Sequence, residues 1–250
     1  MNVSVLHFSP TGGTLKCAKI MACALTETPN FIDLSNHEFS GASFGEDDLV
    51  IIAVPSFGGR VPPTAAERLK LLTGNGAIAV LMTVYGNREF EDTLVELEDL
   101  TKERDFNIIA AVAAVAQHSI VNSIATDRPD TKDSLILAMF AKKLKEKISK
   151  ENLKSPKIPG NRPYRKLGSW FKPKTSRSCN KCGLCAKECP VGAISMDSPK
   201  KVDKKLCIGC MRCVSICPSH SKHLSWFIMW MAKRKLTKLC IERKEPRLYL

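Results

Sequence analysis

The chain has 250 residues, of which 44% are hydrophobic, 25% charged and 6% aromatic, ordinary usage for a globular protein of one or two domains. Gly and Pro number 14 each, too few for a low-complexity chain. No apolar run approaches the ~20 residues that span a bilayer, and Met1-Asn2-Val3-Ser4-Val5 lacks the basic start and cleavage site of a secretion signal; a cytoplasmic location is expected.

Charge divides the chain. Residues 1–150 carry 15 Lys+Arg against 19 Asp+Glu, a net −4, whereas residues 151–250 carry 23 against 6, a net +17. Such asymmetry predicts two units with different surfaces. Cysteine divides it too: nine of the 11 follow residue 178. In a reducing compartment a cluster of that kind points to metal binding rather than disulfides. Cys17 and Cys23 fall in a helical stretch and are expected to be small core residues.

Asn2 to Phe8 alternates and is β-branched, which predicts a strand; Thr14 to Leu25 has helical spacing. Phe31 to Leu34 suits a short strand. Asp48 to Val54 and Ala77 to Val84 are continuous apolar runs, as in strands covered on both faces. Pro62 to Leu71 suits a helix with prolines at its start. Glu89 to Arg104 predicts an amphipathic helix with acids on its outer face. Asn107 to Ala116 is a fifth strand candidate, and Lys132 to Lys150 a helix with Leu135, Met139, Leu144 and Ile148 inward. Strands alternating with helices imply an α/β fold with a doubly wound, five-stranded parallel sheet, whose ligands sit beyond the carboxyl ends of the strands.

The loops at those ends are distinctive. After the first strand comes Ser9-Pro10-Thr11-Gly12-Gly13-Thr14; hydroxyls and glycines at a helix N-terminus suit a phosphate, because amides donate and the backbone approaches closely. The loop lacks the Lys of a nucleoside-triphosphate site and the pattern of a dinucleotide site. After the third strand comes Pro55-Ser56-Phe57-Gly58-Gly59-Arg60, and after the fourth Tyr85-Gly86-Asn87-Arg88. Each sets an aromatic beside glycine, so two loops can hold a flat ring between them. This set resembles the flavodoxin family. The resemblance implies that Ser9, Thr11, Gly12, Gly13 and Thr14 hold the phosphate of an FMN, and that Pro55 to Gly59 and Tyr85 to Arg88 flank its ring. Phe57 stands where many flavodoxins carry Trp. His118 follows the fifth strand and joins the candidate site, although a single histidine is more often a structural hydrogen-bonder.

Residues 151–177 form a basic linker with Pro156, Pro159, Pro163 and Pro173. Tyr164, Trp170 and Phe171 are interspersed, so parts of it are expected to pack. In residues 178–222 the motif Cys179-x2-Cys182-x2-Cys185-x3-Cys189-Pro190 repeats, offset by 28 residues, as Cys207, Cys210, Cys213 and Cys217-Pro218. This is the signature of a small α+β ferredoxin domain with two [4Fe–4S] clusters. Three thiolates wrap one cluster while the fourth, before proline, reaches the other. One cluster is expected on Cys179, Cys182, Cys185 and Cys217, and the second on Cys207, Cys210, Cys213 and Cys189. Zinc, which favours paired C-x2-C units, fits the triple runs poorly. No role is expected for Cys240.

The arrangement resembles the flavodoxin–ferredoxin fusion proteins common in anaerobes, in all but residues 223–250. There a run from Leu224 to Met231 precedes Lys233-Arg234-Lys235, a basic and aromatic tail helix. It is expected to pack on the protein, with a membrane surface or a partner as alternatives. The positive half suggests an acidic redox partner rather than nucleic acid, for which no motif is visible. The expected role is electron transfer between two clusters and an FMN, and on to a partner or small acceptor. An iron–sulfur flavoenzyme, with its substrate near Tyr85, Asn87 and His118, and a redox sensor are the alternatives. No stretch remains for a nicotinamide domain.

Overall fold

The computed structural model describes residues 1–168 and 171–250; the expectation that Trp170 packs lies outside them. Five parallel strands, β1 (Asn2–His7), β2 (Asn30–Asp33), β3 (Asp48–Pro55), β4 (Ile78–Tyr85) and β5 (Asn107–Val115), form one sheet in the order 2-1-3-4-5. That is the flavodoxin-like doubly wound order. The fold class is the one expected, with five parallel strands where the apolar runs lie. A sixth strand joins them: β6 (Arg247–Tyr249), from the far end of the chain, pairs antiparallel with β5, Leu248 opposite Val112. It covers an edge that would otherwise expose unpaired backbone.

Period-2 alternation sends side chains to two layers. Leu6, Phe8, Val50, Ile52, Val54, Ala79 and Leu81 face α2 (Pro63–Leu69) and α3 (Thr93–Lys102). Val3, Val5, Leu49, Ile51, Ala53, Val80 and Met82 face α1 (Gly13–Leu25) and α4 (Thr131–Ser149). Both sets are buried, each large apolar side chain contributing about 1.5–3 kcal/mol. From Leu49 to Val54 and from Ala79 to Val84 every side chain is buried, which is why the runs are almost wholly apolar.

Three local expectations change. On α4, Leu144 and Ile148 lie inward as expected, but Leu135 and Met139 are 69% and 48% exposed, and Leu137, Phe140 and Ala141 take the inward face in their place. Cys17 is buried as expected, but Cys23 is exposed on α1. The acids of α3 do not face water: Glu96 and Glu98 are buried beneath other chain segments.

The linker is what covers them. Arg162 pairs with Glu98 and Asp99 at 2.9 and 2.5 Å, and Tyr164 donates its hydroxyl to Asp99. The backbone N–H groups of Asn161 and Arg165 donate to Asp92, and Ile158 is buried in the core. Arg60, chelated by Glu96 at 2.7 Å, stacks on the Tyr164 ring and donates to the carbonyl of Arg165. The spacer is thus docked along α3, its positive charge matched to the acidic helix.

The tail is fastened as well. α5 (Trp226–Leu239) opens with Ser225 accepting from the N–H of Ile228. It lays Ala232 and Leu236 on Val121, Ile124 and Phe171. Beyond it, Arg243 pairs with Asp130 and Lys132 with Glu245, both at 2.7 Å.

Candidate functional site

A cleft opens at the carboxyl ends of β1, β3, β4 and β5. Thr11, Gly13 and Thr14 of the first loop line it, with Pro55, Ser56, Phe57 and Gly58 of the second, Tyr85 and Gly86 of the third, and His118. Thr11, Gly12, Gly13 and Lys16 also line an adjoining cavity. Gly12 has φ 87°, a left-handed turn that lets α1 start with its N-terminus toward this space. A Cβ on Gly13 would lie 3.1 Å from that of Ala116, so this position accepts little more than hydrogen.

Four expected residues do other work. The Ser9 hydroxyl accepts from the N–H of Leu15, capping α1 from behind the cleft. Gly59 is buried where Glu91 and Arg165 leave no room for a Cβ. Asn87 is buried and turned toward the tail: its amide donates to the carbonyls of Cys240 and Glu242, and its oxygen accepts from the N–H of Lys244 at 2.9 Å. Arg88 pairs with Glu91 at 2.6 Å, and its carbonyl accepts from Lys244. The third loop therefore anchors residues 240–244. No sequence pattern announces that contact.

Tyr85 is buried, its ring 5.4 Å from that of Phe90, and burial pushes its hydroxyl pKa up to about 12. The His118 ring accepts at Nδ1 from the N–H groups of Ile120 and Val121, at 3.1 and 3.2 Å. Burial, aided by the Arg88 charge, lowers its pKa to about 4. His118 is a neutral imidazole carrying its proton on Nε2. A Cβ on Gly86 would lie 2.6 Å from this ring, which explains the glycine.

Cys210 stands at the same end of the sheet, and the other seven cysteines of the two motifs lie in its unit. Cys185 feels the charges of Cys179, Cys182 and Cys217, and Cys210 those of Cys189 and Cys207. Cys213 responds to Cys210 and Cys207, and also to Cys185, so the two quartets adjoin. Burial raises the thiols of Cys210 to about 11 and Cys213 to about 12. Burial would raise Cys217 too, but bonds from Ser219 and the N–H of Ser221 outweigh it and lower that thiol. Iron binding has to displace those protons. Among the described residues, no three His, Cys, Asp or Glu side chains converge to share a single metal ion.

Arg68, buried in α2, donates to the carbonyl of Leu34 and to that of Pro190 at 2.8 Å, tying one Cys-Pro turn to the sheet. Gly209 and Cys210 reach further and form part of the cleft wall opposite the first-domain loops. Met211, Val214, Ser215, His220 and Lys222 wall the adjoining cavity. The cysteine-rich unit closes the cleft.

Residues 178–221 match the family described as "4Fe-4S dicluster domain". No curated protein matches the chain. Among solved structures, a flavodoxin of Streptococcus pneumonia TIGR4 is 19% identical, covering 59% of this chain and 99% of its own, with a TM-score of 0.42. A Fusobacterium nucleatum flavodoxin bound to flavin mononucleotide is 10% identical, covering 58% and 98%, with a TM-score of 0.38. The strand order defines the first unit as flavodoxin-like, and the family match defines the second as a 4Fe–4S domain. The chain thus joins a flavodoxin-like sheet to a 4Fe–4S dicluster domain.

Proposed function

We propose that the protein is an electron carrier that holds two [4Fe–4S] clusters and one FMN and passes electrons between them within one chain. The observation that carries this reading is Cys210, a residue of the dicluster unit, in the wall of the cleft that the flavodoxin-like loops form. The cleft fits the group on two counts. Phe57 and Tyr85 bring aromatic rings to its walls, and Thr11, Thr14 and the start of α1 offer donors to a phosphate. When bound, FMN supplies one- or two-electron chemistry, while each cluster moves single electrons.

The chain's own residues divide the work. Cys189, Cys207, Cys210 and Cys213 hold the inner cluster, beside the cleft. Cys179, Cys182, Cys185 and Cys217 hold the outer one, in a stretch where Cys182, Lys174, Arg177, Lys181 and Lys187 are all exposed. That basic face suits an acidic donor protein. Arg68 and the docked linker keep the two units in register, so transfer needs no diffusional encounter.

The test is rapid reduction of the clusters followed by flavin absorbance, over about a tenfold range of protein concentration. A rate constant independent of concentration is expected. A rate that rises in proportion to concentration overturns the reading, because electrons would then pass between separate molecules.

A further inference from the structure

Helix α5 has two apolar faces, and only one is used. Ala232 and Leu236 pack inward on Val121, Ile124 and Phe171. On the other side Trp226 is 78% exposed, Phe227 57% and Trp230 46%. At 100° per residue these three lie within one quadrant or so of the helix, followed by Arg234 and Lys238 on the same side. The Phe227 and Trp230 rings are stacked with centroids 6.3 Å apart, and the Arg234 guanidinium lies 5.6 Å from the centre of the Trp230 ring. Met231, Leu239 and Ile241 extend the exposed apolar surface. Residues 224–241 hold four cations, Lys233, Arg234, Lys235 and Lys238, and no acid.

Leaving such a patch in water is costly, and clustered exposed aromatics mark a binding surface. We infer that the outer face of α5 seats the protein on an anionic lipid surface. The aromatic composition favours lipid: indole rings prefer the headgroup boundary, and a helix with Trp and Phe on one side and Lys and Arg around them lies in that plane. Charge complementarity names the headgroup. Four uncompensated cations beside the aromatics gain from phosphate groups, and long basic side chains reach up to them while the rings enter the acyl boundary. Among the described residues no helix is long and apolar enough to cross a membrane, so the contact is peripheral. This inference does not depend on the electron-transfer reading, since it rests on exposed side chains of α5 alone.

The experiment is co-sedimentation of the full-length, cluster-loaded chain with vesicles of phosphatidylcholine alone and of phosphatidylcholine mixed with phosphatidylglycerol. Binding to the anionic vesicles alone is expected, weakening as salt rises. Trp226→Ser with Trp230→Ser should lower the partition coefficient at least about tenfold, as should Lys233→Gln with Arg234→Gln and Lys235→Gln. These side chains are solvent-exposed, so cluster absorbance and the melting curve should be unchanged. Failure to bind anionic vesicles overturns the inference, as does equal binding to neutral ones. A dimer in sedimentation velocity that the tryptophan changes abolish, without vesicle binding, overturns it in favour of a second copy of the chain.

Discussion

Cys210 and His118 line the same cleft, one from the cysteine-rich unit and the other from the loop after β5. They are 92 residues apart in the chain. Their meeting makes the crevice at the strand ends a junction between the dicluster unit and the loops of the parallel sheet. Arg68 supports the junction from below through the carbonyl of Pro190. The docked linker supports it from the side through Asp92 and Asp99.

The two thiol quartets predict which cysteines are released together. Wild-type protein purified without oxygen should hold about eight iron and eight sulfide. In Cys217→Ala, iron should fall by about half, and a thiol-alkylating reagent should label Cys179, Cys182 and Cys185 while Cys189, Cys207, Cys210 and Cys213 stay protected. Peptide mass spectrometry reads the pattern. The opposite pattern would reverse the assignment.

The first loop predicts a difference between two flavins. Thr11→Val with Thr14→Val removes two hydroxyls from the wall where a phosphate would lie. Hydrogen bonds to a charged group contribute about 1.5–3 kcal/mol each, so FMN should bind at least about tenfold more weakly. Riboflavin, which lacks the phosphate, should bind as before. Fluorescence titration of both ligands decides; equal losses would move the phosphate site elsewhere.

Asn87 predicts the fate of the tail. Its side chain meets the carbonyls of Cys240 and Glu242 and the N–H of Lys244 in a buried place. Asn87→Ala leaves those groups without their partner, at roughly 1–3 kcal/mol for each one left buried. The variant should melt lower and be cut by protease within residues 240–250 before the sheet opens. Intact resistance would show that β6 and the Arg243–Asp130 pair hold the tail alone.

His118 predicts a pH dependence. Its pKa is about 4 in the folded chain, against about 6.5 when unfolded. Between those values the unfolded state binds more protons, so stability rises with pH across the window. The contribution is complete above about 6.5 and is lost progressively as pH falls toward about 4, on the order of 3 kcal/mol in all. His118→Gln keeps an acceptor for Ile120 and Val121 but does not titrate, so denaturation midpoints should flatten over this window. A midpoint that falls as steeply as in wild type would remove His118 as the cause.

Much of this protein is written locally. The runs Leu49–Val54 and Ala79–Met82 are strands because nothing polar interrupts a surface buried on both sides. The two cysteine ladders state their chemistry by spacing alone, because iron–sulfur ligation is a short-range demand on four thiols and a proline. The loops Thr11–Thr14, Pro55–Gly58 and Tyr85–Gly86 were legible for the same reason: a strand end, a tight turn and a helix start are neighbours in sequence.

What stayed hidden depends on partners far along the chain. Periodicity gives α4 a helical repeat but not its phase, since Leu135 and Leu137 are equally apolar and only the neighbouring α1 selects one. The acids of α3 read as a solvated face, because Arg162 and Tyr164 lie more than 60 residues away and cover them only after folding. Asn87 read as a flavin neighbour until the chain returned 153 residues later to occupy it. β6 has three residues and no pattern; it becomes a strand because β5 leaves an open row of amides and carbonyls beside it. Residue type and spacing decided which groups this protein carries. Long-range packing decided which of them meet, since burial and hydrogen-bond satisfaction are settled by whichever distant segment arrives to cover them.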